Sequence, residues 1–362
     1  MTYLDANATE PIRPAALAAS LAAMQAVGNP SSVHAAGRAA RRVLEDARER
    51  LAGRFGIAPA DLVFTSGGTE ADAWAVAALG RGRRLIVGAT EHDAVRAAAA
   101  GAAVLPVDGQ GIADLDALNR LLAAGGPALV CLMLANNETG TIQPVAQAAA
   151  LCRPAGALLH VDAVQAAGRM AVDPAALGAD SVAISSHKLG GPAGAGALLL
   201  GPRASNLITP LIAGGGQERG RRGGTPPLPA IAGFAAAAAE ATDAAGLAGL
   251  RDAIEQAAVA AGAVAIGAGG PRLPNTTCLA LPGVRAETQV IALDLEGIAV
   301  SAGAACSSGK VARSHVLDAM GLGALAGEAI RVSLPWSAGA ADVAAFVRAY
   351  QSVAARLSRA AR

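Results

Sequence analysis

The sequence predicts an α/β chain built on a mainly parallel, doubly wound sheet, with a smaller α+β domain attached. Three observations lead there. From residue 15 to about 235, short apolar runs alternate with helical patterns, the signature of strands joined by crossover helices. The runs are apolar throughout rather than alternating, as strands covered on both faces require. After about residue 235 the texture changes to a long alanine-rich stretch followed by short strand-like pieces.

In chain order, the expected strands of the first part are Leu62–Thr65, Leu85–Gly88, Ala103–Val107, Ala128–Leu134, Ala157–Val161, Ser181–Ser185 and Gly196–Leu200. Helical patterns lie between them, among them Ser32–Phe55, Thr69–Leu79 and Asp114–Ala123. Glycine-rich stretches at 189–196 and 213–224 read as loops, because glycine tolerates backbone conformations that other residues avoid. The second part is expected to open with one long helix, Ala235–Ala261. Asn275–Leu281, Gln289–Leu295, Gly297–Val300 and the strand-like Ala329–Leu334 follow, before a last helix, Ala340–Leu357. The expected division is a large domain over 14–235 and a small one made of 1–13 and 236–362.

Composition narrows the function classes. Of 362 residues, 53% are hydrophobic and 16% charged, enough for a sizeable core and too few charges for disorder. A net charge of +1 offers no basic face to displace counterions, so a nucleic-acid partner is not expected. The uncharged run Leu121–Asn137 is broken by Gly-Gly-Pro and Asn-Asn, so no membrane span is expected there. Met1–Asp5 shows no basic, then apolar, leader pattern, and the cysteine usage fits a reduced, cytoplasmic setting. Only two of the 29 basic residues are lysines, Lys188 and Lys310. A coding bias that replaces lysine by arginine must stop where a primary amine forms an imine, because guanidinium stays protonated. Each lysine is therefore a candidate for amine chemistry.

Three motifs sit at predicted strand ends. Thr65-Ser-Gly-Gly-Thr-Glu70 follows a strand and opens a helix, a place where backbone N–H groups can approach a phosphate; an ordinary helix cap by Ser66 or Thr69 is the plain alternative. His160-Val-Asp-Ala-Val-Gln165 puts Asp162 at a strand C-terminus, the edge where open α/β sheets place ligands, or where an aspartate caps a helix. Ser185-Ser-His-Lys188 ends the next strand before a glycine-rich loop. A phosphate cradle, a carboxylate and an amine on one sheet edge are the set that pyridoxal 5'-phosphate requires.

Taken in order, these strings and others resemble the class V aminotransferase family of pyridoxal-phosphate enzymes, and within it the cysteine desulfurases of the NifS/IscS type. The others are Tyr3-Leu-Asp-Ala-Asn-Ala-Thr9, Gly28-Asn-Pro-Ser-Ser-Val-His34, Glu91-His92, Asn136-Asn-Glu-Thr-Gly-Thr-Ile-Gln-Pro144, Gly214-Gly-Gly-Gln-Glu-Arg-Gly220, Gly223-Gly-Thr225, Gly303-Ala-Ala-Cys-Ser-Ser308 and Arg331-Val-Ser333. The resemblance implies the aspartate aminotransferase-like fold of pyridoxal-phosphate transferases. It implies that Lys188 carries the cofactor as a Schiff base and moves protons. Asp162 would pair with the pyridine nitrogen, Gln165 would bind the ring hydroxyl, and Asn137 would lie at the same edge. His92 would cover the ring and serve as acid or base. Gly68, Thr69, Ser185 and His187 would hold the phosphate, with Thr225 reaching the phosphate of a second subunit in a homodimer. Arg331, with Asn137 nearby, would clamp the substrate carboxylate, a task suited to a planar guanidinium fork.

Cys306 lies in Ser301-Ala-Gly-Ala-Ala-Cys-Ser-Ser-Gly-Lys310, small and polar residues that read as an exposed loop. By resemblance, its thiolate would take sulfur from L-cysteine and become a persulfide while L-alanine leaves, and a sulfur-acceptor protein of iron–sulfur assembly or thiolation would follow. Cys131, Cys152 and Cys278 sit in apolar or helical stretches and read as small core hydrophobes; no metal-ligand spacing is present. Lys310 reads as a solvated charge, His315 as structural, Arg81-Gly-Arg-Arg84 as a solvated turn, and His34 has no assigned role. Glu10 replaces a threonine common in relatives. A selenocysteine lyase or aminotransferase of the same class is the alternative enzyme, and a non-catalytic sulfur-transfer scaffold the alternative of another kind.

Overall fold

The structure, a computed structural model, describes residues 1–241, 244–303 and 313–360. Its main sheet has seven strands. They are β2 (Leu62–Thr65), β3 (Arg84–Gly88), β4 (Ala103–Leu105), β5 (Ala128–Cys131), β6 (Leu158–Asp162), β7 (Ser181–Ser185) and β8 (Gly196–Leu200). A short β1 (Thr2–Tyr3) precedes them and belongs elsewhere. The order across the sheet is β2-β8-β7-β6-β5-β3-β4, and every pair is parallel except those of β8, which runs against both β2 and β7. The strands of β2, β3, β5, β6 and β7 therefore all end on one edge.

Both faces of this sheet are buried, which is why its strands read as unbroken apolar runs. β5 sends Ala128 and Val130 into one core cluster and Leu129 and Cys131 into the other. Helices α1 (Pro14–Gln25), α2 (Ala35–Arg54), α5 (Leu115–Ala123) and α6 (Val145–Cys152) bring small and branched side chains to the first cluster. Between α2 and α5 in the chain, α3 (Gly68–Leu79) covers the other face with Ala71, Trp74 and Ala75, and α4 (Asp93–Ala98) joins it with Val95. Trp74 is fully buried, and its indole N–H donates to the Thr209 carbonyl at 2.7 Å. A short α7 (Pro174–Leu177) leads into β7.

The second part departs from the sequence expectation at its start. The expected single helix Ala235–Ala261 is instead α8 (Leu228–Glu240) and α9 (Ala248–Ala260), joined through a short 3-10 turn at Ala245–Leu247. Alanine content alone could not place the break; α8 packs Phe234 and Ala237 on the main-sheet core while α9 packs Ile254 and Ala258 on another, so the chain must turn between them. That other core is built by α9, α10 (Ala286–Leu295) and α12 (Ala340–Ala360) around a four-stranded antiparallel sheet ordered β12-β13-β10-β9. Its strands are β9 (Val264–Ile266), β10 (Thr276–Ala280), β12 (Ser301–Ala302) and β13 (Ala329–Ser333), with β11 (Ile298–Ala299) between and α11 (His315–Ala319) before β13. The N-terminus joins this part: β1 pairs with β11, Leu4 is buried in the same core, and Asp5 bridges to Ser333. Arg84 corrects another expectation. It is a half-buried member of β3, and its guanidinium donates to the carbonyls of Gly125 and Leu121. No helix among the described residues is long and apolar enough to cross a membrane.

The glycine-rich stretch 213–224 is fixed to the main body by a buried ion pair. Arg48 on α2 donates through both terminal nitrogens to Glu218, at 2.8 and 2.6 Å, and Glu218 also accepts from the Phe64 amide at 2.9 Å. Glu218 and Arg219 both adopt left-handed φ, +48° and +60°, which costs a residue with a Cβ and persists only when such contacts hold it. Replacing Arg48 with Met strands the Glu218 charge in the interior. The expected cost is about 3–5 kcal/mol in denaturant unfolding; a loss under about 1 kcal/mol, the range of an exposed pair, would contradict this role.

Candidate active site

Asp162 ends β6, Ser185 ends β7, and Lys188 lies in the single 3-10 turn Ser186–Lys188 that follows. Gly67 and Gly68 follow β2, His92 follows β3, and Asn136–Glu138 follow β5. The topology thus brings five separate sequence motifs to one sheet edge, the place where open α/β sheets take ligands.

The cradle motif does not cap its own helix. The N-cap of α3 is Gly67, and no side chain accepts from the first turn's amides. Neither Ser66 nor Thr69 does so; instead Glu70 reaches back to accept from the Ser66 amide at 2.7 Å and is held by Arg222 at 2.9 and 3.1 Å. An uncapped helix N-terminus is a ready anion site. The Ser185 hydroxyl borders it, since a Cβ on Gly67 would stand 3.9 Å from Ser185 Oγ. Alanine cannot replace Gly68, because its Cβ would come within 2.6 Å of the Val164 methyl.

Asp162 is only 6% exposed, and its Oδ1 accepts from the Val164 amide at 2.8 Å, a local turn rather than a helix cap. Burial raises its pKa, and the charge of Asp72 raises it further. Asp72, on α3, lies on the same side of the sheet and is itself pushed up to about 7 by burial. His160, two residues before Asp162 and on the same strand face, lies 3.1 Å from Asp72 Oδ1 and 2.8 Å from Ser181 Oγ. Burial lowers its pKa to about 4, so it stays a neutral ring. Glu91 is fully buried, with Oε1 accepting from the Met133 amide and Oε2 without a partner. Burial holds its pKa well above the usual carboxylate range, which favours the protonated form. Sequence reading passed over Asp72, His160 and Glu91. The two-residue spacing of His160 and Asp162 in one strand was the signal that could have tied His160 to the site.

His92 is the N-cap of α4, where its Nδ1 accepts from the Ala94 amide at 3.1 Å. That bond places the proton of a neutral ring on Nε2. His92 also lies within electrostatic reach of Asp72, Asp162 and Glu138. His187 Nδ1 lies 3.1 Å from Thr9 Oγ1, and burial, with Lys188 and Arg169 nearby, lowers its pKa to about 4.

The amine and the guanidinium meet through the N-terminal segment. Lys188 Nζ donates to the carbonyls of Asn7 and Ala8, and Gln165 Nε2 donates to the same Asn7 carbonyl at 3.0 Å. The Asn7 amide group then donates to the Asn137 carbonyl at 3.0 Å, which also accepts from Arg331 Nη1 at 3.1 Å. Arg331 is 4% exposed, pairs with Asp5 at 2.7 Å, and keeps its buried Nε without a partner. Glu10 pairs with the buried Arg169 at 3.3 Å and accepts from the Trp336 amide at 2.7 Å. Thr225 is exposed. Cys306 and Lys310 lie outside the described residues. His34 caps α2 by accepting from the Gly37 amide, and His315 donates to the Glu91 carbonyl, so both serve the framework. Cys131, Cys152 and Cys278 are buried, and burial raises all three thiols, Cys152 to about 12.

These residues fit pyridoxal phosphate: an uncapped helix end for the phosphate, an amine, and a buried carboxylate in want of a cation. Without the cofactor that carboxylate destabilises the fold. Its raised pKa means stability is full at pH below about 3.8, where the unfolded chain also holds the proton, and is lost as pH rises through the folded value. Asp162→Asn keeps the acceptor for Val164 and removes the charge. The cofactor-free variant is therefore expected to melt above the cofactor-free wild type at pH 8, with the gap closing towards pH 4. A wild type that is the more stable at pH 8 would contradict the assignment.

The aminotransferase class-V family model matches residues 2–346. The chain is 41% identical to a cysteine desulfurase of Cereibacter sphaeroides, over 94% of this chain and 92% of that protein. It is 38% identical to an IscS-like cysteine desulfurase of Mycobacterium tuberculosis, over 100% and 98%. The NifS-like protein from Rickettsia africae superposes with a TM-score of 0.90 at 35% identity, over 98% of this chain and 99% of that one. The expected fold is borne out, and with the motifs, the sheet edge and these matches in agreement, the chain belongs to the class-V aminotransferases, pyridoxal-phosphate enzymes, in their cysteine desulfurase branch.

Proposed function

We propose that this chain removes sulfur from L-cysteine, releasing L-alanine and leaving the sulfur as a persulfide on Cys306. The observation that carries the reading is the continuous network from Lys188 through Asn7 and Asn137 to Arg331, which ties an amine at the sheet edge to a buried guanidinium. The relatives' names support the same reaction.

Lys188 would hold pyridoxal phosphate covalently, with its phosphate at the α3 N-terminus among Gly68, Thr69, Ser185 and His187, and its ring nitrogen on Asp162. When bound, that cofactor supplies an electron sink for the substrate's Cα carbanion. Lys188 Nζ, now parked on the Asn7 and Ala8 carbonyls, would take and return the Cα proton. Arg331, fixed by Asp5, would receive the substrate carboxylate, with Asn137 beside it. His92, with its proton on Nε2, would cover the ring and exchange a proton with the leaving group or the thiol. Gln165 would fix the ring hydroxyl. The Cys306 thiolate would form an S–S bond as the substrate Cβ–S bond breaks. The electron pair stays with Cβ, which gains a proton and ends as the alanine methyl. L-Cysteine and a thiol thus become L-alanine and a persulfide, with no outside oxidant.

The same reading makes 14–235 the cofactor domain and 1–13 with 236–362 the small domain. It makes the enzyme a cytoplasmic homodimer in which the exposed Thr225 serves the second subunit's phosphate. It also gives the persulfide to an acceptor protein of iron–sulfur cluster assembly or thiolation.

Incubation with L-cysteine followed by mass spectrometry is expected to find alanine and one added sulfur on the peptide that contains Cys306. Alanine without that adduct, the same with Cys306→Ser as with wild type, would contradict the persulfide route. Lys188→Ala is expected to lose both the borohydride-fixed cofactor and at least ~10³-fold in alanine formation; a cofactor still fixed by borohydride would move the link to Lys310.

A further inference from the structure

Glu138 has no part in the chemistry above, yet it is 2% exposed and sits one residue from Asn137. Its backbone is fixed by Asn136, whose side-chain oxygen accepts from the Glu138 and Thr139 amides at 2.8 and 3.0 Å. The next turn closes at Gly140, in left-handed φ of +76° and packed on Thr276. With the backbone set, the side chain reaches two residues far away in sequence. Ser314 Oγ donates to Glu138 Oε2 at 2.6 Å, and a Cβ on Gly303 would stand 2.2 Å from that same oxygen. Gly303 follows β12, which pairs with Arg331 through Ser301, and Ser314 is the N-cap of α11. These two residues flank the 304–312 segment, which contains Cys306. A single carboxylate oxygen therefore meets both ends of that segment.

We infer that Glu138 is a positioning residue for sulfur transfer: its carboxylate bonds Ser314 and abuts Gly303 on the Asn137 turn, and so fixes the two described residues between which the Cys306 segment is tied. Arg331 and His92 lie within electrostatic reach of this carboxylate, while it accepts its hydrogen bond from Ser314. Gly303 carries no unusual φ, so glycine is required there only for the room Glu138 takes. The inference rests on the desulfurase reading.

The test uses cofactor-loaded enzyme and two readouts. One is the spectral change of bound cofactor on adding L-cysteine; the other is single-turnover persulfide formation on Cys306 by mass spectrometry. Glu138→Ala is expected to slow the second roughly 10- to 100-fold, the scale of a small misplacement of a reacting group, and to leave the first within about twofold. Glu138→Gln, whose amide oxygen still accepts from Ser314, is expected to restore most of the loss. Gly303→Ala displaces the carboxylate, so it should slow the second readout in the wild type and cost nothing further in the Glu138→Ala background. It also carries the comparison if Glu138→Ala does not fold. Wild-type turnover with unchanged persulfide formation in both variants overturns the tie alone, as does an equal fall in both readouts. A wild type that makes no alanine overturns the desulfurase reading and the tie with it.

Discussion

A carboxylate at the end of a buried strand has two stable conditions: it holds a proton or it faces a cation. Water would supply a third, and Asp162 has almost none. Asp72 adds a like charge, and His160, whose pKa burial lowers to about 4, supplies no full cation beside it. Each unit of pKa elevation is worth about 1.4 kcal/mol between the two protonation states. In the proposed reading, the cation this acid lacks would be the protonated ring nitrogen of the cofactor. The electron-sink chemistry depends on that pairing, because only a protonated ring withdraws electrons well.

The arrangement of the other groups follows from the same edge. Parallel strands with covered faces leave only their C-terminal ends to carry polar side chains, so the cradle, the acid and the amine converge without any loop needing to travel far. The guanidinium comes from a different sheet. What joins it is the N-terminal segment, which pairs with β11, buries Leu4 in the second core, and then threads Asn7 between Lys188 and Asn137. The first ten residues are thus a structural part of the candidate site, and the buried Glu10–Arg169 pair ties them to the segment after β6.

Much of this was legible in the sequence. Unbroken apolar runs gave every strand of the main sheet to within a few residues, because both faces are buried and each residue in a run is constrained. Strand ends gave Asp162, Ser185 and Lys188, because polar residues after apolar runs mark the open edge. What the sequence hid depended on packing between distant segments. The break between α8 and α9 could not be read from alanine, which suits a helix anywhere; the two halves serve different cores. Arg84 looked solvated because its partners, the carbonyls of Gly125 and Leu121, lie across a crossover. His34 had no assigned role and His315 read as structural; their bonds to the Gly37 amide and the Glu91 carbonyl place both in the framework. Glu138 was hidden for the same reason, as both its contacts lie more than 160 residues away.

The most direct test of the central claim is infrared difference spectroscopy of wild type against Asp162→Asn, at a pH near 6, with and without pyridoxal phosphate. The account predicts that the Asp162 signal of the cofactor-free protein contains a protonated-carboxyl band, and that this band gives way to a carboxylate band once the cofactor is bound. A carboxylate signal of equal strength in both states would show that Asp162 needs no cationic partner and would contradict the account.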